Sequence, residues 1–420
     1  MAYTQKYRND IYRLLLLFTI FILVRLLFII LMPHTYSKDL YAWLNVIDIL
    51  KNEGNPYSVT GVLNWPPFWM QVLYGVHIIS KFTAVSPTLI IQLVLIGGEA
   101  MTLLACYLVL RKFFNVQKPA KVLIFGVALN PVCILLSCQH CNFDVFVGFW
   151  VLLFVAALLL FYTGHSPVNW LIACFFLGIG ILTKTVPVIL SPLLAIGIRN
   201  QKFTTIFFGL MLLFTPVAIG MSIIFSLGHT GVINHVISYR SMSGWYGFTG
   251  ILGLLKTDAL IDLYRKLSPI IISGSLLYLT WWGYHTQILK PKRLIIISLL
   301  FLIAIPTFGP GYSPPYINWY FPLAVILYCI SSRGLKNFLA LGYAVLALTY
   351  ITEYAFFDSH GAFLTKFFPS AKMSGLSDML GSQKMQVLIR LPMFVFYISL
   401  FVLLVSAMFT SGKSHGEATV

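Results

Sequence analysis

Apolar runs separated by short polar turns repeat along almost the whole chain. A helical residue advances about 1.5 Å, so a hydrocarbon core of about 30 Å needs roughly 17–25 apolar residues. The pattern predicts crossings at Leu14–Met32, Thr88–Leu110, Val122–Ser137, Val145–Tyr162, Val168–Thr183, Val186–Ile198 and Phe203–Leu227. Further crossings are predicted at Leu267–Thr286, Leu294–Thr307, Ile317–Ser331, Phe338–Tyr354 and Val387–Ser411. The spans on either side of Pro187 are short and read equally well as a broken hairpin. Asp39 to Leu50 carries Leu40, Trp43, Leu44, Ile47 and Leu50 on one face, the pattern of a helix lying at the interface. Phe68 to Phe82 is apolar but short, and is expected to be re-entrant or to lie on the surface.

The expected fold class is an all-α polytopic membrane protein with about twelve transmembrane helices (range 10–13), because a backbone in lipid must satisfy its own hydrogen bonds. Residues 1–411 are expected to form one transmembrane domain, with outer loops at 33–87, 228–266 and 355–386, and 412–420 as a cytoplasmic tail. At 59% hydrophobic and 10% charged, the chain is no ordinary soluble globule. Its net charge of +16 would suit a nucleic-acid partner if the cations were pooled, but they are scattered among the span ends. Lys6, Arg8, Arg13, Arg111, Lys112, Lys118, Lys121, Arg199, Lys202, Lys290, Lys292, Arg293, Arg333, Lys336 and Lys413 all fall on one side of the alternating spans, the positive-inside pattern. Both termini are therefore expected in the cytoplasm. No nucleic acid is expected as a partner, and membrane lipids are.

The opposite face then collects the residues capable of chemistry. Asp39, just past the first span, reads either as a helix cap or as a general base. Asp144 and His140 lie in the turn Gln139-His140-Cys141-Asn142-Phe143-Asp144, where a helix cap is again the alternative. Lys184 either snorkels to the headgroups or binds a phosphate, and Arg240 is either an interfacial loop arginine or a phosphate contact through its planar fork. Tyr57, Trp65, Trp245, Tyr312 and Tyr316 are the candidate acceptor or sugar contacts, although an aromatic belt alone would place them at this interface. Cys138 and Cys141 form a Cys-x-x-Cys without a second ligand pair, which argues against zinc and leaves a bridge or two idle thiols. Arg25 and Glu99, within spans, are expected to pair and so lower each other's cost.

Read in order, these segments resemble the GT-C class of integral-membrane glycosyltransferases. The similarity is to the mannosyltransferase-like branch with the bacterial GT87-type and GPI-anchor enzymes. It rests on Asp39, Asn55-Pro56-Tyr57, Trp65-Pro66-Pro67, Asn130-Pro131, His140 to Asp144, Lys184-Thr185-Val186-Pro187, and Ser313-Pro314-Pro315-Tyr316 with Trp319. The resemblance implies inverting transfer of a hexose, mannose at the family level, from a polyprenyl-phosphate sugar donor to a lipid-linked or glycan acceptor. Asp39 would be the base, Arg240 and Lys184 the phosphate contacts, and the active face extracytoplasmic. The compact loops lean toward a bacterial plasma membrane over an endoplasmic reticulum. A paired Asp-x-Asp is missing, since Lys38-Asp39-Leu40-Tyr41 stands there, so a magnesium or manganese ion is an open option and not a requirement. A lipid flippase or transporter is the alternative; the charges gather at one surface, with few at the midplane, which favours the enzyme.

Overall fold

The computed structural model describes residues 2–32, 37–52, 54–59, 63–198, 201–232, 236, 243–285, 290–353 and 382–410. Among them the chain is helical almost throughout, in an integral membrane architecture. Seven helices are long and apolar enough to cross a bilayer, and an eighth span results if one bent pair is counted as one. The seven lie in α1 (Ala2–Leu31), α5 (Pro87–Phe114), α8 (Asp144–Gly164), α11 (Phe203–Val232), α14 (Pro291–Phe308), α16 (Arg333–Glu353) and α17 (Gln383–Thr410).

The other expected crossings are shorter, bent or less apolar. Val122–Ser137 becomes the bent pair: α6 (Pro119–Leu123) with a π-helical turn at Ile124–Ala128, then α7 (Pro131–Leu135) with a second at Leu136–His140, the halves at 51°. Asn130-Pro131 makes the break. Asn130 Oδ1 accepts from the backbone N–H groups of Val132 and Cys133, while Pro131 at the first helical position needs no donor. The Pro187 region is a hairpin: α9 (Pro167–Thr183), an extended Lys184, a 3₁₀ turn at Val186–Leu190, and α10 (Pro192–Ile198). Trp170 Nε1 donates to the Leu194 carbonyl at 3.4 Å, so the two arms run back along each other. Ile317–Ser331 shortens to a 3₁₀ helix at Pro314–Trp319 followed by α15 (Phe321–Ile330), and Leu267–Thr286 lies within α13 (Asp258–His285). The 228–266 stretch holds the end of α11, α12 (Gly247–Leu254) and the start of α13, while 355–381 and 412–420 lie outside the described residues.

The expected interfacial helix is α2 (Lys38–Lys51), which buries Leu40, Trp43, Val46 and Ile47. It packs with α3 (Pro56–Val59), α4 (Phe68–Thr83) and the start of α8 in an apolar cluster separate from the main core. Phe143 is its hub, stacked on Trp69 at 5.2 Å and met edge-on by Trp43 at 5.7 Å.

Arg25 and Glu99 pair as the sequence implies, Nε to Oε2 at 2.8 Å, with Arg25 fully buried. The guanidinium also donates to the Ala128 and Phe21 carbonyls, so it braces the first π-helical turn. Removing one member strands a buried charge. Arg25→Leu and Glu99→Leu are each expected to destabilise by about 3–5 kcal/mol, and the double variant to recover most of that loss. Thermal melting in detergent checks this; single variants that melt like wild type would contradict it.

Candidate active site

Three elements bring the predicted residues together. Ser37 caps α2 by accepting from the Leu40 N–H, which leaves Asp39 in the first turn with its carboxyl uncommitted to capping. Ser37 Oγ also donates to the His140 carbonyl at 2.6 Å, and Trp43 Nε1 to the Cys141 carbonyl at 2.9 Å. The interfacial helix is thus bolted to the turn carrying His140. Cys141 sits at φ +56°, left-handed backbone that a non-glycine residue adopts at a cost. That conformation ends the π-helical turn and reverses the chain into α8. Cys138 and Cys141 are both free thiols, buried in the packing.

Asp39 Oδ2 receives His140 Nε2 at 3.1 Å and Asn142 Nδ2 at 3.0 Å. Its side chain is 34% exposed, which leaves Oδ1 for an incoming hydroxyl. Burial pushes the Asp39 carboxyl up, but attraction and hydrogen bonding from His140, the Asn142 amide and the charge of Lys184 outweigh it, holding Asp39 below its ordinary value. Asn142 Oδ1 accepts the Asp144 N–H at the start of α8, while the N-cap position is Phe143, so the Asp144 side chain does not cap the helix.

Lys184 stands at the tip of the α9–α10 hairpin, 2% exposed. Its Nζ lies 2.6 Å from Asp144 Oδ1, and 3.9 Å and 4.5 Å from the ring centres of Trp65 and Tyr316. Trp319 and Phe143 complete an aromatic cage around the ammonium. The Tyr316 ring is stacked on Trp319 at 4.1 Å, and the 3₁₀ helix bearing both lies hard against α8. Gly148 permits that approach: a Cβ there would sit 2.2 Å from the Asn318 carbonyl oxygen.

Asp39, Trp65, His140, Lys184 and Tyr316 line one cavity of about 240 Å³, with Ala42, Trp43, Asn64, Asn142, Phe143, Ser313 and Pro315 completing its wall. At about 30 Å³ per water, that is room for about eight waters, the scale of a single sugar ring. Asp144 stands behind Lys184. The remaining predicted residues lie elsewhere. Tyr57 is buried and donates to the Trp65 carbonyl, which fixes the Trp65 backbone at the cavity wall. Tyr312 is buried behind Tyr316, its hydroxyl bonded to Tyr397 at 2.6 Å in a cluster with Tyr320. The Trp245 carbonyl accepts from Arg390, which also pairs with Glu353. Arg240 lies outside the described residues.

Sequence reasoning missed Tyr350, whose hydroxyl lies 3.2 Å from His140 Nδ1. Its one signal was a polar group one turn before Glu353 on the same span. Asn64, on the cavity wall, gave only its place beside Trp65. Among the described residues no group of three or more histidine, cysteine or acidic side chains is arranged to hold a metal ion.

No family model matches the chain, and a search of curated proteins finds no significant match. Among solved structures, that of ArnT from Cupriavidus metallidurans bound to undecaprenyl phosphate is similar, with a TM-score of 0.50 and 13% identity. The match covers 94% of this chain and 78% of that one. The likeness spans nearly the whole chain and shows that this chain shares the polytopic, helical membrane fold of that structure.

Proposed function

We propose that the protein transfers a hexose, with mannose the first candidate, from a polyprenyl-phosphate donor to a lipid-linked or glycan acceptor, inverting the anomeric centre. The observation that carries this reading is the Asp39 carboxylate. It is oriented through one oxygen, held ionised, and open through the other into a sugar-sized cavity with aromatic walls. A transporter has no need of an oriented base at one end of its helices. The ArnT relative is bound to a polyprenyl phosphate, and its fold is the one this chain adopts.

In the reaction, Asp39 Oδ1 takes the proton of the acceptor hydroxyl as its oxygen attacks the anomeric carbon from the face opposite the phosphate. The bond from carbon to the phosphate oxygen breaks, and the polyprenyl phosphate leaves with the electron pair. Trp65 and Tyr316 offer ring faces to the sugar. Lys184 has donors beyond the one spent on Asp144 and lies where a phosphate or sugar oxygen can take them; Arg240 is the second proposed phosphate contact. Charge placed where the leaving oxygen becomes negative favours the transition state over the bound donor. His140 and Asp144 act through their hold on Asp39 and Lys184.

The lipid chain has a bed. An apolar groove of about 400 Å³ runs from Lys121 past Phe125 and Leu346 to Ile317 and Tyr320. Ile317 follows Tyr316 in the same 3₁₀ helix, so neighbouring residues wall the groove and the polar cavity. The active face is proposed to be extracytoplasmic, as the charge distribution implies. Offering purified protein polyprenyl-phosphate mannose and glucose separately, with lipid and glycan acceptors, and measuring release of polyprenyl phosphate tests the reading. Release with one donor and an acceptor names the sugar. No release with either, together with movement of labelled lipid across vesicles, would replace the transferase with a flippase.

A further inference from the structure

The general base does not stand alone. His140 is 3% exposed and Tyr350 1% exposed, yet both ring nitrogens of His140 are engaged, Nε2 by Asp39 and Nδ1 by Tyr350. An ionised carboxylate only accepts, so Nε2 must carry the proton. When the ring is neutral, Nδ1 is then an acceptor and the phenol of Tyr350 donates to it; when the ring is protonated, both nitrogens donate and its charge adds to the attraction on Asp39. The chain runs Tyr350 O–H to Nδ1, then Nε2–H to Asp39 Oδ2, across α16, the second π-helical turn and α2.

We propose that Tyr350 and His140 are positioning residues for Asp39: Tyr350 fixes the His140 tautomer, and that tautomer orients the carboxylate and keeps it in its basic form. The proposal rests on the transferase reading for its consequence and on the hydrogen-bond chain for its substance. The physical reason is a sign. With Nε2–H toward Asp39, the histidine stabilises the carboxylate. With the proton on Nδ1 instead, the Nε2 lone pair faces the carboxylate, repels it, and favours protonated Asp39 donating back. The Asp39 carboxylate itself favours the first arrangement, and the Tyr350 phenol bonded at Nδ1 adds to that preference; its loss weakens the selection.

Among the described residues, the titratable and charged groups beside this hydrogen-bond chain include Lys184 at the hairpin tip, Asp144 behind it, and the Cys141 thiol near Asp39. Lys184 favours the Asp39 carboxylate, and none of the three bonds to His140 Nδ1. Tyr350→Phe therefore isolates the tautomer without altering a charge.

The experiment compares wild type, Tyr350→Phe, His140→Gln and Tyr264→Phe. The last loses a hydroxyl bonded to the Phe308 carbonyl, and neither residue lines the cavity. Two readouts are taken: the pH profile of kcat/KM for transfer, and ¹⁵N magic-angle-spinning spectra of histidine-labelled protein in lipid. The chain has nine histidines, so the His140 signal is assigned by its loss in His140→Gln. Expected are an Nε2–H ring in wild type, an Nδ1–H population in Tyr350→Phe, and an acidic limb moved to higher pH in both Tyr350→Phe and His140→Gln. Each unit of that movement is about a tenfold loss at a pH below both midpoints. Tyr264→Phe is expected to match wild type in both. If wild type transfers and Asp39→Asn does not, while Tyr350→Phe changes neither limb nor spectrum, the relay is wrong and the transferase stands. If no donor is used but the spectra show the tautomer switch, the hydrogen-bond chain is right and the transferase reading falls.

Discussion

Asp39→Asn is expected to lower turnover by about 10²–10⁴-fold, the range a positioned general base supplies, while donor binding stays near wild type. Asparagine keeps the shape of the side chain, and its carbonyl oxygen can still accept from His140 Nε2 and Asn142 Nδ2, the two contacts that orient Asp39. What it loses is the ability to take a proton. A variant that binds donor and turns over at the wild-type rate would remove Asp39 from the mechanism. The pH dependence has a definite sign. Because the Asp39 carboxyl is held below its ordinary value, it is ionised throughout the neutral range. Wild-type activity is therefore full above the usual carboxylate range and is lost only as pH falls through the lowered value. In Asp39→Asn, whatever turnover remains has no such limb.

The residues that could be found in the sequence are those whose presence in lipid is costly. Arg25 and Glu99 had to meet something, and they meet each other. Asp39, His140 and Lys184 were sorted to one face by charge placement alone, and the fold brings them to one cavity. What pattern reading could not supply was the geometry of the breaks. Val122–Ser137 reads as one apolar run, because the Asn130 cap and two π-helical turns leave hydropathy unchanged. Lys184 and Asp144 were each read with a separate task, because 40 residues of sequence hide that a hairpin tip points at the start of α8. Tyr312 read like Tyr316 from its motif, yet one ring faces the cavity and the other is buried behind it. Tyr350, one of many aromatics on apolar spans, was not singled out, and only its distance to His140 marks it.

Lys184 offers the second large effect, and here stability and catalysis can be separated. Lys184→Met leaves Asp144 fully buried with neither oxygen satisfied, since Oδ2 already completes no hydrogen bond among the described residues. Breaking such a pair from one side costs about 3–5 kcal/mol. The cage of Trp65, Tyr316, Trp319 and Phe143 accepts the methionine stem, so the loss is one of charge and not of volume. Lys184→Met is expected to melt well below wild type and to lose transfer by about 10²–10³-fold, the scale of one lost electrostatic contact to a developing oxyanion. Adding Asp144→Leu removes the stranded acid, and an apolar replacement for a buried pair is often neutral or stabilising. The double variant is therefore expected to regain the melting temperature and not the activity. Recovery of both would make the pair a structural strut, and would leave Arg240 as the proposed cation for the leaving phosphate. Recovery of stability alone places the ammonium in the chemistry: its partner Asp144 then serves to hold a buried lysine charged at the wall of the cavity that the base also lines.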